Sequence, residues 1–350
     1  MKDVVIDRAL VQSEDEMLSR WGKYERPIVS IHCTAYNHGK FIRDALDGYL
    51  IQKTAFPFEV LIHDDASTDD TAEIIREYEK KYPNIIKPIY QVENQYSQGK
   101  KPGRLNYQRA LGQYIAMCEG DDYWTDPEKL QVQIDWMQQN PECSLTFHAV
   151  DYVDADTKKF IKGYHYANKS EYVSMDDIIL RDRGKMLMSA SKVFRKQIIM
   201  NVPKFCYELP AGDYGIDLLA GLNGKVYYIN RNMAVYRTNI NASAMGVVRK
   251  MDFDNYINRY VRFAKALSLF NVFTHEQYTN SVKKKQSSFV FNALRRGRGK
   301  TDVKNYLKNL SKCFNYLNGK AKILAAIYIF PIPGSFQDIK TFFWRFKIAR

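Results

Sequence analysis

The chain has 350 residues, 45% of them hydrophobic and 26% charged. That is enough apolar material for one large domain or two ordinary ones, and it excludes a disordered polar chain. Five widely spaced cysteines with no CxxC pair argue against a zinc site and for a reduced, cytoplasmic protein, and no apolar core of a signal peptide follows Met1-Lys2-Asp3-Val4. The net charge of +13 belongs to the last third. Residues 241–350 hold 21 lysines and arginines against 5 acidic residues, which marks a change of role near residue 240.

Residues 1–26 read as a polar N-terminal extension with one helix around Ser13–Trp21. Ile28–Cys33 is the first strand, and it ends in the polar turn Thr34-Ala35-Tyr36-Asn37-His38-Gly39. Phe41, Ile42, Ala45, Leu46, Tyr49 and Leu50 then make one helical stripe. After Pro57 a second strand, Phe58–His63, runs into Asp64-Asp65. Ser67 or Thr68 is the expected N-cap of the next helix, which carries acidic residues in its first turn, Lys80 and Lys81 in its last, and Pro83 beyond. That accounts for Asp69 and Asp70 and leaves Asp64 and Asp65 without a structural explanation.

Ile85–Gln91 reads as a third strand. Residues 94–104 are polar, basic and glycine-bearing, a loop able to close over a diphosphate or to stay a plain surface loop. A short helix over Leu105–Leu111 leads to the apolar strand Tyr114–Cys118 and the acidic turn Glu119-Gly120-Asp121-Asp122-Tyr123-Trp124. Asp126 is the expected cap of a helix with Pro127 at its first position. Cys143–Val150 is a strand, 151–185 has no clear order, and Lys185–Arg195 reads as a strand. Leu209–Gly215 opens an apolar helix over Ile216–Leu222, and two strands follow over 225–229 and 233–237. The alternation over 27–150 implies a mostly parallel sheet with helices on both faces.

Residues 241–350 read as basic and mainly helical. Ile323–Phe330 is too short to span a bilayer, while Phe342–Lys347 mixes aromatics with cations as an anionic membrane interface would.

Three strand ends thus carry polar chemistry: Thr34 with Asn37, Asp64 with Asp65, and Asp121 with Asp122. In a parallel sheet such ends share one edge and converge on one ligand. Packed carboxylates there call for a cation, and hard oxygen donors suit Mg²⁺ or Mn²⁺ completed by a substrate diphosphate. The competing reading is a solvated acidic turn.

The segments Val29–Asn37, Glu59–Thr71 and Gly112–Trp124, in this order and spacing, resemble the family 2 glycosyltransferases of the GT-A fold. The resemblance covers about residues 27–240. It implies an inverting transferase acting from a nucleotide-diphosphate sugar, with a UDP-sugar as the expected donor, and a saccharide or lipid-linked saccharide as acceptor in surface polysaccharide assembly. By the same resemblance Thr34 and Asp65 hold uracil and ribose, and Asp121 and Asp122 bind ribose and metal, with Asp122 favoured for the metal. Asp213 is the general base that takes the acceptor proton. Its other reading is a helix N-cap. Glu119 stands where the family often has Asp. Asn37, Arg104 and Arg109 complete the expected nucleotide contacts.

Some relatives carry a histidine after a Tyr-Arg pair. Tyr236-Arg237-Thr238-Asn239 has none, so either water completes the metal shell or Arg237 offsets the leaving-group charge.

Two other functions compete with this one. A nucleotidyltransferase would open with a glycine-rich phosphate loop, which the first strand lacks. A non-catalytic module binding nucleic acid or membrane would use the basic tail, but no nucleic-acid motif is present. A cytoplasmic enzyme resting peripherally on the inner face of an anionic membrane, with no nucleic-acid partner, accounts for both halves of the chain.

Overall fold

The computed structural model describes residues 4–22, 24–182, 185–240, 244–297 and 301–327. They divide into two compact units, the described residues up to 202 with those from 216 to 247, and those from 203 to 215 with those from 248 onward.

The first unit opens with α1, Glu14–Trp21, whose N-cap Ser13 and N3 residue Glu16 close a reciprocal capping box. Met17 and Trp21 turn inward from it. The sheet begins β1 (Val29–Ala35), α2 (Ile42–Leu50), β2 (Phe58–Asp64), α3 (Thr71–Lys81), β3 (Ile86–Tyr90), α4 (Gly103–Arg109), β4 (Tyr114–Met117). Strands β3, β2, β1 and β4 pair in that order, all parallel. Their near-continuous apolar runs, such as Val60, Leu61 and Ile62, are buried on both faces, as strands covered by helices require.

The other half of the sheet is mixed. It holds β5 (Tyr123–Trp124), α5 (Lys129–Gln139), β6 (Cys143–Asp154), β7 (Phe160–Tyr164), β8 (Glu171–Val173), α6 (Met175–Leu180) and β9 (Val193–Arg195). A five-residue helix, α7 (Lys204–Glu208), belongs to the second unit. Next come α8 (Gly212–Asn223) and β10 (Lys225–Thr238). The sheet continues from β4 through β9, β6 and β10 to β5. β9 is antiparallel to both its neighbours, β10 parallel to β6, and β5 antiparallel to β10. β7 and β8 add antiparallel edges to β6 and β10, and with α6 they give order to 160–180.

Several boundaries differ from the sequence reading, each for a local reason. α3 begins at Thr71, with Asp70 at the N-cap position but without a side-chain capping bond; Ser67 and Thr68 do not cap it, because the Ser67 hydroxyl donates to Asp64 Oδ1 at 2.5 Å and Thr68 is bonded to Asn37. α5 starts at Lys129, and Asp126 is drawn instead into an ion pair with Arg231 at 2.6 Å. Residues 189–191 form a 3₁₀ turn in place of a strand, with Ser191 Oγ donating back to Met188 O at 2.7 Å, a competition typical of serine. The strands expected over 225–229 and 233–237 are one strand with register shifts around Asn232, and α8 begins four residues before Ile216.

α9 (Ala244–Lys250) begins in the first unit and ends in the second, which continues with α10 (Phe253–Phe273), α11 (Thr279–Gly297), α12 (Val303–Cys313) and α13 (Gly319–Ile327). Asp252 and Asp302 cap α10 and α12 through backbone N–H groups three residues on. Ile257, Ala264, Val290, Leu294, Tyr306 and Leu310 form its core, and Gln286 of α11 donates to Ala264 O and Ser268 Oγ of α10, both at 2.7 Å. No described helix is long and apolar enough to cross a membrane. The aromatic and cationic stretch 342–347 lies outside the described residues. All five cysteines are free and buried.

Candidate active site

The C-terminal ends of β1, β2 and β4 are joined by backbone hydrogen bonds. Asp65 N–H donates to Ala35 O at 2.9 Å, and Gly120 N–H donates to Thr34 O at 3.0 Å. The acidic turn is therefore stitched to the same strand end as the Asp64-Asp65 pair. Gly120 is needed for this approach, since a Cβ there would come within 2.8 Å of Ile42 and 3.0 Å of the His38 ring. The turn runs on into β5, where Trp124 packs edge-on against Tyr49 at 5.1 Å and donates its indole N–H to Ala190 O at 2.7 Å.

Asn37 has a left-handed backbone, φ 55°, which asparagine tolerates better than most side chains. Its N–H donates to Ser67 Oγ at 2.9 Å, and its Oδ1 accepts the Thr68 N–H at 2.8 Å. It thus clips the loop after β1 to the loop after β2. Asp65 is 3% exposed. Its two carboxylate oxygens accept the Gln95 and Tyr96 N–H groups at 2.8 and 3.0 Å, and His63 Nε2 lies 3.4 Å away. The loop over 94–100 is thereby seated on Asp65, and Oδ2, which His63 does not approach, keeps a second lone pair for a ligand N–H. Asp64 is held by Ser67, and burial raises its proton affinity.

Asp121 keeps its carboxylate 17% exposed, with His38 Nε2 at 3.9 Å. Asp122 is 3% exposed, and its Oδ1 accepts the Arg237 N–H at 2.8 Å. Burial, and then the neighbouring Asp121, push the Asp122 carboxyl well above the usual carboxylate range. The same surroundings would welcome a cation in place of a proton. Among the described residues no group of three or more His, Cys, Asp or Glu side chains could hold a metal ion. The carboxylates that the turn itself offers to a cation are Asp121 and Asp122.

Thr34, Asn37, Asp65, Asp121 and Asp122 thus belong to one connected cluster. The two arginines stand differently. Arg109 donates to Ile62 O, Lys87 O and Asn106 Oδ1 at 2.6–3.0 Å, which fastens α4 to β2 and β3. Arg104 is an exposed residue of α4. Asp213 lies in the first turn of α8, half-buried, in the segment that groups with the second unit.

Two participants were not singled out from the sequence. His38 stands in the sequence only as part of a polar turn, and Asp44 does not figure in the sequence reading. Asp44 accepts an ion pair from Arg237 Nη2. Its position beside the buried Ala45 was the only signal.

Residues 30–202 match the family model described as glycosyl transferase family 2. An uncharacterised Mycobacterium tuberculosis protein is 35% identical over 213 residues, 60% of this chain and 58% of that protein. The chain thus spans little more than half of that relative's length. The putative teichuronic acid biosynthesis glycosyltransferase TuaG of Bacillus subtilis is 30% identical over 147 residues, 42% of this chain and 56% of the relative. S. aureus TarS 1–349 in complex with UDP shares the fold, with a TM-score of 0.62 at 16% identity over 91% of each chain.

Proposed function

The chain belongs to glycosyl transferase family 2 through residues 30–202, and from that premise we propose that it moves a sugar from a nucleotide-diphosphate sugar to an acceptor hydroxyl with inversion. The observation that carries this reading is the junction of the β1, β2 and β4 ends, which sets Asp65 beside the Asp121-Asp122 turn. A UDP-sugar is the donor we favour. Asp65 suits the uracil N3–H, which needs an acceptor, and the UDP bound to the S. aureus protein that shares the fold supports the same choice.

Asp121 and Asp122 would hold Mn²⁺ or Mg²⁺, which bind through one or two carboxylates together with substrate phosphates. The ion would supply Lewis-acid neutralisation of the diphosphate leaving group. Thr34 and Asn37 lie beside the expected base and ribose. Arg104, exposed on α4, remains a candidate for the phosphates, whereas the bonds of Arg109 to strand carbonyls weigh toward a structural role. Asp213 is the proposed base. An acceptor hydroxyl is a poor nucleophile until its proton is taken, and one base acting opposite the leaving group inverts the anomeric centre. The TuaG resemblance supports a saccharide acceptor in polysaccharide assembly, and the basic second unit would favour an anionic membrane surface carrying a lipid-linked acceptor.

Calorimetric titration of UDP, with and without Mn²⁺, tests the reading. Metal-enhanced binding that disappears in Asp122→Ala is expected. A folded wild type that ignores UDP under both conditions refutes the uridine assignment. For the base, Asp213→Asn should keep UDP binding and lose transfer; retained transfer refutes that role.

A further inference from the structure

Arg237, near the C-terminal end of β10, meets both members of the carboxylate pair. Its backbone N–H donates to Asp122 Oδ1 at 2.8 Å, and its Nη1 donates to Asp121 O at 2.8 Å. Its Nη2 is ion-paired with Asp44 of α2. The guanidinium stands 4.3 Å from the Tyr123 ring centroid and 5.1 Å from that of Phe41, and the side chain is 1% exposed. Asp44 also receives Arg8 at 2.7 Å and Lys158 at 3.6 Å, so it is itself firmly placed.

These contacts do different work from a phosphate contact. A guanidinium with 1% exposure is not presented to a diphosphate arriving from solvent. Its charge is matched by Asp44, and its fork reaches the peptide that joins the two acidic residues. We propose that Arg237 is a positioning residue that fixes the Asp121-Asp122 turn in its ligand-binding form by bracing it against α2. This rests on the reading of that turn as the metal and nucleotide site. Lysine cannot substitute: it offers a point charge and no planar fork with separate donors for Asp121 O and Asp44. In Arg237→Lys the backbone N–H to Asp122 persists while the brace to α2 is lost, so the variant isolates the side chain's part.

The test uses two probes on the full chain: Tb³⁺, a lanthanide whose emission Tyr123 and Trp124 can sensitise, and UDP with Mn²⁺ by calorimetry. Wild type, Arg237→Lys, Asp44→Asn and a control, Gln133→Ala, are compared, each with its melting temperature. Gln133 lies within α5 and bonds Thr146 and Ser191, so its loss weakens the same unit without touching the turn. The expected result is a loss of roughly tenfold or more in Tb³⁺ and UDP·Mn²⁺ affinity in Arg237→Lys, the scale typical of groups that orient metal ligands. Asp44→Asn should lose less, and Gln133→Ala should bind as wild type despite a lower melting temperature. Wild-type affinity in Arg237→Lys overturns the proposal, as does an equal loss in Gln133→Ala. A wild type that binds neither probe overturns the underlying site reading and this proposal with it, which separates the two failures.

Discussion

Two lysines are fully buried in the first unit, and the protein treats them in opposite ways. Lys192, just before β9, sits 2.6 Å from Asp217 of α8, and Asp217 also pairs with Arg181. Lys129, at the start of α5, finds no hydrogen-bond partner for its Nζ among the described residues. It rests instead on the face of Trp124, 3.9 Å from the ring centroid. Burial brings the Lys129 amine down to about 7. His148, whose Nε2 is likewise unpartnered, is pushed well below the usual histidine range by burial and then by Lys129. A buried amine thus forms an ion pair where a carboxylate comes with it, and where only an aromatic face is offered burial lowers its proton affinity.

The strongest break of this contrast is Asp217→Ala. It leaves Lys192 and Arg181 without their shared carboxylate, and a loss of about 3–5 kcal/mol is expected from urea unfolding. Lys129→Met should go the other way, raising stability by about 1–2 kcal/mol at pH 7, because an unsatisfied buried amine is removed at the cost of one cation–π contact. Titration sharpens the point. With a folded pKa of about 7 against an ordinary lysine value near 10.4, the unfolded chain binds the extra proton between those limits. Wild-type stability should therefore climb as pH rises from about 7 to about 10, by up to about 1.4 kcal/mol per pH unit from this group. That climb should flatten in Lys129→Met; an unchanged slope would mean that Lys129 is not the source. The smallest effect belongs to the surface pair of Arg43 and Glu77, 2.9 Å apart with both side chains largely exposed. Arg43→Ala should cost about 0.2–1 kcal/mol, and less at high salt.

The parallel half of the sheet was legible because its signals are local. Apolar runs at Val29–Cys33 and Phe58–Ile62, the helical stripe of α2 and the acidic turn all lie in short windows, and the strand-end rule then places Thr34, Asp65 and Asp121 together. In the mixed half β6 and β10 were legible, but β7 and β8 were not, because they are short edge strands with alternating polar and aromatic residues, and their pairing reaches as far as Glu171 with Tyr228, 57 residues on. Ser67 illustrates a third limit. Its composition suits an N-cap, but a tertiary bond to Asp64 takes its hydroxyl first. The role of Arg237 was equally hidden, since its ion-pair partner Asp44 lies 193 residues earlier in the chain.

The five buried cysteines have a practical consequence. Burial lifts the thiols of Cys33 and Cys313 to about 12 and that of Cys143 to about 11, and it holds Cys118 well above the ordinary thiol value. Thiolate is the reactive form, so the folded chain should be nearly silent toward maleimides. A single cysteine introduced by Gln98→Cys, in the loop seated on Asp65, would then carry a fluorophore on an otherwise unlabelled background and report the movement of that loop directly.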